Sequence, residues 1–153
     1  MPAAAADLEI EPLSTASATL PVAADVAFEA FADAAETPRW LPVLHAARVL
    51  ERNVDGRATR VAFVARLERG SIGYTVEYSF DSEALAITWR TAPEAAVQVR
   101  GEVTFSPLSR SASLMNYSVT ISAPVGPWSD PSYEHHPASS VVTSFREHLR
   151  RAA

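Results

Sequence analysis

Residues 24–42 read ADVAFEAFADAAETPRWLP, and the rest of the chain is organised around this segment. Its first half is predicted to form a short helix, in which Phe28 and Phe31 lie three residues apart and therefore share one face. Pro38 interrupts that helix, because the residue before a proline is pushed out of the α region. Trp40 is then predicted to lie in a tight corner. A helical corner of this kind needs a sheet to pack against.

The composition is that of one globular domain. The chain has 153 residues, of which 48% are hydrophobic and 20% are charged. A net charge of −5 argues against contact with a phosphate backbone, so no nucleic-acid partner is expected. There is no cysteine for disulfide or thiolate chemistry. No apolar run reaches the roughly 20 residues of a membrane helix, so membrane insertion is not expected either.

The start of the chain differs in composition from the rest. Residues 1–13 are predicted to be a flexible N-terminal lead-in, and residues 14–153 a single domain. The lead-in is rich in alanine and acidic residues, and it lacks the basic region with which a signal peptide begins. A cytoplasmic protein is therefore predicted.

Alternation of apolar and polar residues predicts seven β-strands. In the third of them, for example, Val61 and Phe63 point to the same face. The Asp-Gly pair at residues 55–56 predicts a hairpin turn, and a second turn is predicted at residues 107–110. The predicted strands span residues 15–22, 44–54, 57–67, 71–80, 85–89, 97–105 and 115–121.

The end of the chain is predicted to be a helix, because Val141, Val142, Phe145 and Leu149 recur at helical spacing. The predicted order is one strand, a helical corner, six antiparallel strands and this final helix, which is an α+β fold. The apolar face of the sheet and the apolar stripe of the helix both have to be buried. A curved sheet wrapped around the helix buries both, and it leaves a space between them.

Three sets of residues carry a resemblance to a known family. They are Val26, Phe28, Phe31, Asp33, Pro38, Trp40 and Pro42 in the corner, the strand GEVTFSPL at residues 101–108, and the helix VVTSFR at residues 141–146. Over residues 15–151 they resemble the START-like helix-grip (SRPBCC) superfamily, which includes the birch-pollen allergens, and in particular its polyketide cyclase/dehydrase and coenzyme-Q-binding branch. The resemblance implies a seven-stranded antiparallel curved sheet wrapped around a C-terminal helix, with two short helices between strands 1 and 2.

The resemblance identifies the fold better than the activity, since one fold hosts many functions. In the well-known aromatase/cyclases a polar serine and an arginine of the fourth strand point into the cavity. Here the inner face of that strand shows Tyr74, Val76 and Tyr78 instead. The glycine-rich loop of the plant allergens has no counterpart in this sequence.

The first functional hypothesis is binding of a hydrophobic small molecule, namely a lipid, a quinone or a polyketide-like ligand, because the predicted inner face is apolar and aromatic. Gly101 supports a cavity, since a missing side chain in mid-strand leaves room or lets the helix approach. The predicted ligand-binding residues are Trp40, Phe63, Tyr74, Tyr78, Trp89, Val99, Gly101, Tyr117, Val142 and Phe145. The alternative is a filled core, in which each tyrosine hydroxyl finds a backbone partner.

The second hypothesis is an enzyme of the cyclase/dehydrase type that acts by confining a reactive chain. Tyr74, Tyr78 and Tyr117 are its candidate hydrogen-bond donors, and His45 is its candidate proton shuttle, because the free pKa of histidine lies near neutrality. A protein-interaction module is a third, weaker hypothesis.

Glu134, His135 and His136 form the one cluster of metal-ligand residue types. Adjacent histidines point apart in a helix or a strand and do not easily share a metal. Neither a metal nor a cofactor is therefore predicted, and the oligomeric state stays open.

Overall fold

The computed structural model describes residues 8–10, 13–67, 70–124 and 137–152, with the backbone alone at residues 8–10, 67, 123, 124 and 137. In this part of the chain eight strands form one antiparallel sheet. They are β1 (Leu8–Ile10), β2 (Ser14–Leu20), β3 (Leu44–Arg52), β4 (Ala58–Leu67), β5 (Gly70–Asp81), β6 (Ala86–Thr91), β7 (Gln98–Ser109) and β8 (Ala112–Pro124).

The sheet is ordered by chain sequence except at one edge. Strands β3 to β8 pair each with the next, and β1 and β2 both pair with the free side of β8. The predicted fold class is confirmed: seven of these strands, β2 to β8, form a curved antiparallel sheet, with two short helices after β2 and a long helix at the end. Strand β1 is an addition, and it lies within the segment that the sequence predicts as a flexible lead-in.

The helical corner consists of α1 (Ala24–Ala32), a 3₁₀ turn (Ala34–Glu36) and α2 (Thr37–Trp40). Phe28 and Phe31 share the buried face of α1, as predicted. Pro38 stands in the first turn of α2, where the missing N–H costs no helical hydrogen bond. Trp40 is therefore the last residue of a second helix and not part of the corner loop.

One predicted turn and one predicted strand have different bounds in the structure. Strand β7 continues through Pro107 to Ser109. Proline is tolerated there because β6 pairs with β7 only as far as Thr104, so beyond that residue β7 pairs with β8 alone and no hydrogen bond from residue 107 to β6 is lost. Leu85 belongs to the turn before β6, with φ at +52°, and not to the inner face of that strand. The side chain of Asp81 holds this turn by accepting the backbone N–H groups of residues 83 and 84.

The final helix, α3 (Pro137–Ala152), lies across the inner face of the sheet. The predicted apolar stripe is buried: Val141, Val142, Phe145 and Leu149 are each at most 8% exposed. The backbone N–H of Ala138 donates to the Ser14 hydroxyl at 3.3 Å, which joins the start of α3 to β2. None of the helices in the described part of the chain is long and apolar enough to cross a membrane.

Phe31 is the centre of the core beside the final helix. Its ring centroid lies 5.4 Å from that of Phe145, and 5.7 Å from those of Trp40 and Trp89. The same ring also contacts Phe105 and Tyr117. This aromatic cluster joins α1, α2, α3 and the sheet, and so fixes the distance between the helices and the inner face.

Candidate functional site

A cavity of about 280 Å³ lies between the inner face of the sheet and helices α2 and α3. No described residue that lines it is charged, and most are apolar or aromatic. A binding site of this kind favours a molecule that buries carbon and carries no charge. The lining residues are Phe31, Thr37, Trp40, Leu41, Pro42, Val43, Leu44, Phe63, Tyr74, Val76, Tyr78, Trp89, Val99, Tyr117, Val119, Ile121, Ser140, Val141 and Ser144.

Most of the residues predicted from the sequence to bind a ligand lie in this wall. The alternation of strands β4 to β8 turns them inward, and α2 brings in the indole of Trp40. The predicted residues that line the cavity are Trp40, Phe63, Tyr74, Tyr78, Trp89, Val99 and Tyr117. The alternative prediction was a completely filled core between sheet and helix, and the cavity shows that this core is not completely filled.

Gly101 does not line the cavity, although the sequence places it there. It pairs directly with Trp89 on the neighbouring strand, and the indole of Trp89 lies flat against it. A Cβ atom at residue 101 would lie 2.6 Å from Nε1 of that indole and closer still to Cε2 and Cζ2. The room that this glycine leaves is thus occupied by Trp89 and not by a ligand.

Val142 and Phe145 are also set back from the cavity. Both are buried, at 4% and 0% exposure, but neither contributes to the wall. The ring of Phe145 lies 5.0 Å from that of Trp40 and supports it from behind. Their predicted role as ligand contacts is replaced by a packing role, because α3 turns Ser140, Val141 and Ser144 toward the cavity instead.

His45 lies away from the cavity. Leu44 before it is buried and lines the wall, whereas the imidazole of His45 is exposed. Its Nδ1 lies 3.0 Å from Nη2 of Arg66 on the neighbouring strand. The pairing of β3 with β4 shifts between Leu44 and Ala46, so His45 is the extra residue of a bulge, and its side chain points away from the face that Leu44 joins. The structure does not support a proton shuttle at this position.

The Glu134–His135–His136 cluster lies outside the described residues. Within the described ranges, no three side chains of histidine, aspartate or glutamate come close enough together to hold a metal ion.

The hydroxyl of Tyr78 has the clearest electrostatic signature in the wall. Its ring stacks on Phe80 at 6.1 Å and packs against Trp89 at 6.0 Å. Burial raises the pKa of the Tyr78 hydroxyl above its ordinary value, because a phenolate there would lose its hydration. No hydrogen bond joins this hydroxyl to another group in the described part of the chain. Tyr78 is therefore held as a neutral donor at the cavity wall.

Three hydroxyl-bearing residues of the wall were not predicted. Thr37 begins α2, and Ser140 and Ser144 lie one turn apart on α3. Their sequence signal is weak, because serine and threonine in a helix usually face solvent. The four-residue spacing of the two serines, beside the buried Val141, is the feature that could have indicated a polar strip next to the apolar one.

The comparisons with known proteins agree with this architecture. The sequence model of a family described as polyketide cyclase / dehydrase and lipid transport matches residues 12–153. No curated protein matches the chain in sequence.

The fold is shared with solved structures, among them the following three, at identities too low to carry function. A START superfamily protein from Mycobacterium smegmatis has a TM-score of 0.77 at 12% identity, covering 92% of this chain and 99% of its own. A protein from Thermus thermophilus has a TM-score of 0.75 at 16% identity, covering 93% and 99%. The Zhui aromatase/cyclase from Streptomyces sp. R1128 has a TM-score of 0.70 at 15% identity, covering 94% and 95%.

Proposed function

Because the chain belongs to the polyketide cyclase/dehydrase and lipid transport family, we propose that its cavity binds a neutral hydrophobic small molecule, such as a lipid, a quinone or a polyketide-like compound. The observation that carries the proposal is the cavity itself, about 280 Å³ in volume and lined by uncharged, largely apolar side chains. Such a site gains affinity from removing apolar surface from water, at about 25 cal/mol for each Å².

The lack of charge in the wall supports a neutral ligand. An ionised carboxylate or phosphate that entered the cavity would lose its hydration and meet no cation among the described lining residues. Anionic lipids with a buried headgroup are therefore disfavoured, whereas neutral ring systems and uncharged tails are accepted.

Native mass spectrometry of the protein purified from its own host tests this proposal. The expected result is one small molecule bound per chain, which is then extracted and identified. Val99→Phe, which adds volume at the wall, should abolish this occupancy, and Val54→Phe, at a fully exposed hairpin position, should leave it unchanged. Equal occupancy in both variants would place the bound molecule elsewhere and refute the proposal.

A second candidate function is cyclisation and dehydration of a polyketide-like chain, and the observation that favours it is Tyr78. Its hydroxyl is protonated, lies in the wall and has no partner in the described part of the chain, so it can donate to a carbonyl of a confined substrate. Tyr74 and Tyr117 line the same cavity and are further candidate donors. His45, which is exposed, is left out of this proposal.

The two functions differ in what happens to a reactive ligand. If the protein is an enzyme, a poly-β-ketone thioester incubated with it should undergo aldol ring closure and lose one water. If the protein is a carrier, the thioester should react no faster with the protein than in buffer alone. For the enzyme, Tyr78→Phe should lower the rate of water loss while binding persists. An unchanged rate in this variant would remove Tyr78 from the reaction.

A further inference from the structure

Three hydroxyl groups line the cavity from the side of the helices. We define the helix-side hydroxyls as those of Thr37 on α2 and of Ser140 and Ser144 on α3. The two helices are in contact, and the rings of Trp40 and Phe145 lie 5.0 Å apart between them. The helices therefore contribute hydroxyl-bearing residues to the wall, and the sheet contributes the tyrosines.

Thr37 is the member whose position most needs an explanation. It is 7% exposed, so more than nine-tenths of its surface is buried, and it belongs to the cavity wall. Its hydroxyl makes no hydrogen bond to any group that the structure describes. The hydroxyl is open to the cavity rather than sealed in the core, so a group that occupies the cavity can be its hydrogen-bond partner.

Ser140, which is exposed, and Ser144, which is half-buried, line the same cavity. Residues four apart on a helix lie on one face, about 5–6 Å from each other. A helical serine can donate back to the carbonyl four residues earlier, but in the described chain neither of these serines makes such a bond. Their hydroxyls are thus available to a molecule in the cavity.

We propose that the helix-side hydroxyls form a polar subsite that binds a neutral oxygen, either a hydroxyl or a carbonyl, at one edge of the ligand. This inference rests on the proposed function and narrows the ligand class to uncharged, amphipathic molecules with an apolar body and an oxygen at one end. The hydroxyls supply hydrogen bonds without charge, so the subsite accepts an alcohol, a phenol or a ketone and rejects a carboxylate.

Equilibrium dialysis with three matched probes tests the subsite at neutral pH. The probes are 2-methylnaphthalene, which has only an apolar body, 2-naphthol, which places a hydroxyl where the first has a methyl group, and 2-naphthoate, which is an anion. The variant T37V/S140A/S144A removes the helix-side hydroxyls, and S139A/T143V is the matched control, since both of its positions are exposed on the same helix.

The expected result is specific to one probe. The triple variant should bind 2-naphthol about five- to tenfold more weakly than the wild-type protein and bind 2-methylnaphthalene equally well. The control variant should match the wild-type protein with both probes, and 2-naphthoate should bind to none of the proteins.

Two other results separate the two proposals. Binding of 2-methylnaphthalene and 2-naphthol with no difference between wild type and triple variant would refute the subsite and leave the proposed function intact. Failure of wild type to bind 2-methylnaphthalene would refute the proposed function itself. If Thr37→Val prevents folding, S140A/S144A gives the same test, because neither of these serines is fully buried.

Discussion

Gly101→Ala should destabilise the protein, because the added methyl group meets the indole of Trp89. A Cβ at this position would lie 2.6 Å from Nε1 and nearer still to two ring carbons, in a wall where Trp89 is only 8% exposed. The atoms in contact belong to the rigid indole and not to the far end of a flexible side chain, so the whole ring has to move toward the cavity. Overpacking of this kind costs about 1–3 kcal/mol.

Gly73→Ala is the matched control for this substitution. Gly73 also lies within a strand, but a Cβ there would be 3.7 Å from the backbone oxygen of Phe63, which is an ordinary contact. Replacing glycine by alanine restricts the unfolded chain equally in both variants and stabilises by about 0.4–1 kcal/mol. The difference between the two variants therefore isolates the clash with Trp89.

The free energy of unfolding should be measured by urea titration, with far-UV circular dichroism as the signal. We expect Gly101→Ala to be about 2 kcal/mol less stable than Gly73→Ala, which is a difference of about 4–8 °C in Tm for a chain of this size. In a Trp89→Phe background the cost of Gly101→Ala should fall by at least half, since a smaller ring leaves room. Equal stability of the two alanine variants would refute the argument that the glycine accommodates the indole.

Three further predictions concern the core and the cavity wall. Phe31→Ala should lower the free energy of unfolding by about 3–5 kcal/mol, measured by urea titration, because the central ring of the aromatic cluster is removed, and a loss below about 1 kcal/mol would contradict that role. Arg57→Met should cost about 1–2 kcal/mol by the same assay, since the guanidinium pairs with Glu29 and lies 5.1 Å from the centroid of Phe28, whereas Arg52→Met at an exposed position should cost less than about 0.5 kcal/mol. Stability should fall as the pH rises above 10, because the unfolded chain ionises Tyr78 at its ordinary pKa of 10.0 while burial raises the pKa of this hydroxyl in the folded state, and Tyr78→Phe should flatten this part of the pH profile.

The strands could be predicted because their faces differ in polarity. Val61 and Phe63 on β4 are buried and Arg60 is exposed, as the alternation indicated. The exceptions occur where pairing changes: Pro107 stays in a strand because β6 no longer runs beside it, and Leu85 lies in a turn held by Asp81. The alternation of polar and apolar residues within one strand does not predict where the neighbouring strand ends.

The cavity could be predicted only in part from the sequence. Aromatic residues of the strands were placed correctly, because a strand has two faces and burial selects one of them. Whether Gly101 faces empty space or a neighbouring ring depends on the cross-strand register with Trp89, which the sequence does not state. The helix-side hydroxyls depend on how α2 and α3 are rotated against the sheet, and that rotation is set by tertiary packing.

The pairing of β2 with β8 also has a consequence for the order of folding. Ser14 lies opposite Val119, so this edge of the sheet joins residues about a hundred positions apart in the chain. Contacts of such long range form late, because the loop that they close is costly in entropy. The cavity draws its wall from residues as far apart in the chain as Phe31 and Ser144, so it is complete only when elements distant in the sequence have come together. A ligand can therefore stabilise the finished protein by mass action, but it cannot guide the early steps of folding.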